Sequence, residues 1–213
     1  MAEFQFKTKL DQTLLLGRRA KDAAELLDGV KNTPDASIYY HTHHFLQQHH
    51  YLSPEPPNDY AYWATEVLND ARLGEQLWSI DIIQYSTIEE IRHAFIEVLE
   101  SRIAGGQKLR ESPPGGEFHF MASRTFVLTT NNVAHTLADF RTILAGISVN
   151  SIYYHMFDAK LRLQSGTNDF SRWFAALGKP ELADQVSHLD PYRYTLEGLR
   201  KRILVLTERY DKD

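Results

Sequence analysis

The chain has 213 residues, 43% of them hydrophobic and 24% charged, with 28 acidic against 23 basic side chains and a formal net charge of −5. That apolar content supplies a sizeable core and excludes a disordered chain, while the mildly acidic balance argues against a nucleic-acid binder, whose footprint is a basic face. The absence of cysteine excludes disulfides, thiolate catalysis and Cys-ligated zinc or iron–sulfur sites.

At the start, Met1 to Lys7 has neither the basic nor the apolar region of a signal peptide. No run approaches the roughly 18 apolar residues of a spanning helix. A cytoplasmic protein with no membrane partner is expected. Phe4-Gln5-Phe6 alternates and reads as a short strand. Arg18 to Val30 then carries Ala20, Ala23, Ala24, Leu27 and Val30 at three- and four-residue spacing, the face of an amphipathic helix. Pro34-Asp35-Ala36-Ser37 starts a second helix running to about His50, and Asn58-Asp59 starts a third. Thr87-Ile88-Glu89-Glu90 is a capping box that opens a long helix to about Ile103. Ala104 to Glu117 holds Gly105-Gly106 and Ser112-Pro113-Pro114-Gly115-Gly116, the composition of a linker. Beyond it, Phe118-His119-Phe120 alternates again, and Asn131 to Leu144 has the helical face Val133, Leu137, Phe140 and Leu144. Asn168-Asp169 and Pro180 mark two further helix starts, and a last helix runs from Thr195 to Tyr210 with Gly198 where a capping box would need Glu.

The two halves answer each other. Ser37-Ile38-Tyr39-Tyr40-His41 recurs letter for letter as Ser151-Ile152-Tyr153-Tyr154-His155, and Asn58-Asp59-Tyr60 with Trp63 recurs as Asn168-Asp169-Phe170 with Trp173. Such ordered matches predict a tandem duplication. The expected organisation is a first repeat over 1–104, a linker over 105–117 and a second repeat over 118–213. The expected fold is all-α, with about five helices per copy and one short β element at the start of each.

Two constellations could carry chemistry. His41 and His44 are three apart on one helical face, and His155 and Asp158 repeat that spacing. Converging across a pseudo-two-fold axis, the four could hold Zn²⁺, Mn²⁺ or Fe²⁺, although no HExxH signature accompanies them. The plainer reading has His41 and His155 hydrogen-bonded to a carbonyl or carboxylate in the core. The Asn-Asp-aromatic-x-x-Trp element is a helix cap followed by an inward Trp. It is also good equipment for a sugar, with the ring on its C–H face and the carboxylate and carboxamide on its hydroxyls. Of each Tyr pair, one ring is expected inside and one elsewhere. No phosphate loop or nucleophile elbow is present, and no motif names a cofactor.

The repeated words, with Tyr51 through Asp59 and Arg162-Leu163 through Thr167-Asn168-Asp169-Phe170, resemble a bacterial family of unknown function over nearly the whole chain. The resemblance implies a tandem helical arrangement and supplies no reaction, cofactor or catalytic residue. The leading expectation is therefore a non-catalytic binding or regulatory protein for a polar metabolite, such as a sugar or sugar phosphate, or for a protein partner. Tyr40, His41, Asn58, Asp59 and Trp63, with Tyr154, His155, Asn168, Asp169 and Trp173, are its expected ligand-binding residues. The alternative is a metal-dependent hydrolase on His41, His44, His155 and Asp158, with Asp59 or Asp169 as base.

Overall fold

Two strands of 17 residues each, β1 (Phe4–Ala20) and β2 (Phe118–Ala134), pair in a two-stranded antiparallel sheet. The fold is therefore α+β, which corrects the all-α expectation and its short β elements. This computed structural model describes residues 3–44, 58–190 and 194–211. The strands extend past the Phe-x-Phe leaders because the helices begin later than apolar spacing alone suggests. Helix α1 (Ala23–Asn32) is fixed by Asp22, whose carboxylate accepts the N–H groups of Ala24 and Glu25, so Arg18 to Lys21 lie outside it. Likewise Asn131 to His135 lie outside the next half's first helix, Leu137–Gly146, which Thr136 caps in a box with Asp139.

Where the sequence has a cap and a stop, element and expectation coincide. The helix α2 (Asp35–Tyr39) starts after Pro34 and passes into a π-helical turn at Tyr40–His44. Its expected continuation to His50 falls outside the described residues. The helix α3 (Asp59–Tyr62) follows the Asn58 cap and runs into a π-helical turn at Trp63–Val67, and α4 (Ala71–Trp78) comes next. The Thr87–Glu90 box opens α5 (Ile88–Ala104) with both reciprocal bonds made. In the second half α6 (Leu137–Gly146) leads to α7 (Val149–Tyr153), a π-helical turn at Tyr154–Asp158, and α8 (Ala159–Leu163). Helix α9 (Asp169–Ala176) follows the Asn168 cap, α10 (Pro180–Ser187) has Pro at its first position, and α11 (Leu196–Tyr210) is capped by Thr195 without a box. Among the described residues no helix is long and apolar enough to cross a membrane.

The chain divides into two compact units, Met1–Leu10 with Thr125–Asp213, and Asp11–Arg124. In the first, the β1 leader enters the core formed by α6, α9 and α11: the Phe4 ring lies 5.3 Å from Phe170, and Phe6 lies 5.4 Å from Phe140. Lys9, its side chain wholly buried, pairs with Asp158 at 2.8 Å and sits 4.7 Å over the Tyr153 ring. Arg200 of α11 donates to the Leu144 carbonyl near the end of α6, satisfying one of that helix's unpaired acceptors.

In the second unit the β2 leader does the same work. Phe118 lies 5.3 Å from Tyr60, and the Phe120 ring occupies the space a side chain at position 29 would need, since a Cβ on Gly29 would come within 1.9 Å of it. Arg92 of α5 donates to the Val30 and Thr33 carbonyls and to Asp35, holding the end of α1 against the start of α2.

Candidate functional site

Ser151 and His155 stand four apart, on one face of a helix, and both address one residue of β1. The Lys7 N–H donates to His155 Nε2 at 2.8 Å, and Ser151 Oγ donates to the Lys7 carbonyl. Because Nε2 accepts a backbone N–H it carries no proton, so the proton of the neutral ring is on Nδ1. Nδ1–H points at Asp169 Oδ2, 2.8 Å away. The ring is 3% exposed and flanked by Phe4 and Phe170, and burial holds its pKa below the ordinary histidine value. Burial pushes the Asp169 carboxyl up, but its hydrogen bond with His155 and the charge and hydrogen bond of Arg162 outweigh that and hold it below the usual range. Arg162 in turn lies 4.9 Å over the Tyr154 ring.

The other unit repeats the histidine's two contacts in its own residues, but not the serine's: the buried Ser37 Oγ has no hydrogen-bond partner among the described residues. His41 Nδ1 lies 2.6 Å from Asp59 Oδ2, and its Nε2 accepts the Met121 N–H of β2 at 3.0 Å. Phe118 and Tyr60 flank the ring at 4.7 and 5.4 Å. The Ser-x-x-x-His word thus places its His as a side-chain acceptor for a strand edge. The plainer of the two expectations for His41 and His155, a hydrogen bond to a carboxylate in the core, describes both.

Asn58 and Asn168 are fully buried caps. The Asn58 Oδ1 accepts the Ala61 N–H and its Nδ2 donates to the Leu77 carbonyl; the Asn168 Oδ1 accepts the Ser171 N–H and its Nδ2 donates to the Val186 carbonyl. Both amides are spent on backbone groups and neither is presented to a ligand. Asp59 and Asp169, next in sequence, orient the histidines. Trp63 is buried and donates its indole N–H to the Gly116 carbonyl, while Trp173 stacks on Phe140 at 5.4 Å. Tyr153 and Tyr154 are both buried, whereas Tyr39 and Tyr40 are both half-buried, so neither pair divides as its 100° offset suggests.

The four residues expected to hold a metal are otherwise employed. Both ring nitrogens of His41 and of His155 have hydrogen-bond partners, Asp158 pairs with Lys9, and His44 faces Asp11 at 3.7 Å. Among the described residues no group of three or more His, Cys, Asp or Glu side chains could hold an ion.

A cavity of about 420 Å³ opens beside His155 in the first unit. It brings together four of the expected ligand-binding residues, Tyr154, His155, Asp169 and Trp173. Three cations, Lys7, Arg162 and Arg172, the carboxylate of Glu3 and the amide of Gln5 complete its polar lining. Burial pushes the Tyr154 phenol up, so it stays a neutral donor. Asp169, Arg172 and Trp173 reach the cavity from one face of α9, at spacings of three and four. Glu3, Gln5 and Lys7 reach it by the period-two alternation that sends Phe4 and Phe6 inward. That alternation is legible in the sequence and marks which leader side chains turn away from the core. Nothing local says which histidine they turn towards. A broader cavity in the second unit, about 1200 Å³ and lined by Glu66 to Asn69 and Lys108 to Gly116 without Ser112, contains none of the expected residues.

A family model described as a family of unknown function, DUF5752, matches residues 1–208. The solved structure of OrfY from Thermoproteus tenax is similar at 31% identity with a TM-score of 0.84, over 100% of this chain and 97% of that one. No curated protein matches. The family match runs as one span, so it does not support the expected internal repeat.

Proposed function

The chain belongs to the DUF5752 family of unknown function, and from that premise we propose that it is a non-catalytic binding protein for a small polar metabolite, held in the cavity beside His155. The observation that carries this reading is the lining itself. A volume of about 420 Å³ suits a small metabolite, and it combines aromatic surface from Trp173 and Tyr154 with cationic donors and one phenol. Sugars and sugar phosphates have both the C–H faces and the polar groups that such a lining recognises.

Binding is favoured over hydrolysis by the state of the cavity's histidine. A general base needs a free lone pair within reach of the proton it takes. His155 Nε2 is committed to the Lys7 amide and Nδ1 to Asp169. A protein partner is the second reading, supported by Phe126, Val127 and Leu128, which β2 leaves 45 to 52% exposed.

The test is thermal unfolding of the whole chain against a panel of sugars, polyols and sugar phosphates, followed by amide exchange with any member that stabilises it. A ligand at a hundred times its Kd adds about 2.7 kcal/mol. Protection should fall on Lys7 and on the Tyr154–Asp158 turn. A panel without a single stabilising member, or protection confined to other segments, would refute the reading.

A further inference from the structure

The charges of the cavity beside His155 are not balanced. Three cations face two carboxylates there, in a chain whose formal net charge is −5. One pair is already closed: Asp169 accepts from both His155 and Arg162, and Arg162 is further held over Tyr154. Lys7 and Arg172 remain, opposed by Glu3 alone. Among the described residues neither the Lys7 ammonium nor the Arg172 guanidinium has an ion-pair partner. Their backbones are fixed all the same, Lys7 by His155 and Ser151, and Arg172 within α9 through its N–H bond to the Asn168 carbonyl. Two cations on anchored backbones, bordering one cavity next to an aromatic edge, form a receptor whose charge Glu3 offsets only in part among the described lining residues.

We propose that the ligand of this cavity carries a compact anionic group, a phosphate or a carboxylate, taken by Lys7 and Arg172, with its uncharged body against Trp173 and Tyr154. This rests on the metabolite-binding reading and adds the ligand's charge to it. Arginine receives either oxyanion through two parallel N–H bonds, and lysine adds a point charge. Glu3, just ahead of β1 and lining the same cavity as Lys7, opposes the anion and so lowers its affinity. The charge logic thus has a sign at each of two exposed positions: removing Arg172 weakens an anionic ligand, and removing the Glu3 charge strengthens it.

Isothermal titration of the full chain with glucose 6-phosphate, gluconate and glucose, at one ionic strength, tests this. The phosphate and carboxylate arms identify which oxyanion is preferred, and glucose reports the uncharged body alone. At least one anionic probe should bind at least about tenfold more tightly than glucose, as charge-assisted hydrogen bonds require. Arg172→Gln should weaken that probe by about tenfold and Glu3→Gln should strengthen it, with glucose affected by neither. Both positions are exposed, so the variants should fold, and an unchanged melting temperature without ligand checks that they do. Glucose binding as tightly as both anions, or a preferred anionic probe indifferent to Arg172→Gln, overturns the proposal and leaves the metabolite-binding reading standing. Failure of both anions to bind also overturns it, and the wider panel then decides the metabolite-binding reading separately.

Discussion

His155 accepts the backbone N–H of Lys7 at 2.8 Å across 148 positions of sequence. An imidazole nitrogen is thereby used as the acceptor that a third strand would have supplied to the edge of β1. Ser151, one helical turn earlier, donates to the carbonyl of the same residue, so one helix face closes both polar groups of Lys7. Backbone groups left unpaired away from water are costly, and the clamp removes that cost where the leader enters the core. It also makes the protonation state of His155 structural.

Stability should therefore depend on pH in a window set by this ring. Burial holds the folded pKa of His155 below its ordinary value of 6.5, so the unfolded chain binds the extra proton first. The contribution is fully present above 6.5 and is lost as pH falls through the folded value. Urea midpoints between pH 5 and pH 8 should rise with pH, and His155→Gln should flatten that rise. An equal slope in the variant would show that the ring is not the responsible group.

Gly29 should be intolerant of any side chain. A Cβ there meets three atoms of the Phe120 ring between 1.9 and 2.7 Å. Gly29→Ala should cost about 1–3 kcal/mol through overpacking. Gly146→Ala is the control, because a Cβ at that position meets nothing within 4 Å. Denaturant midpoints that move equally in the two variants would contradict the packing of Phe120 described here.

Breaking the Lys9–Asp158 pair from one side should be worse than removing it. With Lys9 wholly buried, Lys9→Met leaves a largely buried carboxylate without its ammonium, at about 3–5 kcal/mol. Lys9→Met with Asp158→Leu should recover much of that loss. A double-mutant cycle on chemical unfolding gives the coupling, and additive losses would show that the pair is not coupled.

The cap of α9 is Asn168, and the carboxylate beside it has another task. Asn168→Ala removes the oxygen that caps Ser171 and the donor that serves Val186, which together should cost about 2–4 kcal/mol. Asp169→Asn keeps an acceptor for His155 but removes the charge that holds Arg162, so it should lose less stability and bring the His155 pKa still lower. Unfolding midpoints and the His155 titration by NMR separate the two. A larger loss at Asp169 than at Asn168 would reverse these roles.

Much of the helical framework was legible in the sequence, because its signals are local. The Thr87–Glu90 box, Pro180 and the caps Asn58, Asn168 and Thr195 each decide a helix start from within one turn, where a side-chain oxygen or a ring-locked φ acts on its own neighbours. The repeated Ser-Ile-Tyr-Tyr-His and Asn-Asp words likewise marked the residues that form both His–Asp pairs. The extent of the strands was not legible: Asp22 and Thr136 set the helix starts, while amphipathic spacing ran on past them. Nor could the sequence say which leader meets which histidine, since Phe4-Gln5-Phe6 and Phe118-His119-Phe120 present the same pattern. Only the tertiary structure pairs Lys7 with His155 and Met121 with His41. That choice brings Lys7 to Arg172 and Tyr154 and so makes the cavity, because a site assembled from a strand and a helix more than a hundred residues apart depends on packing that no local pattern encodes.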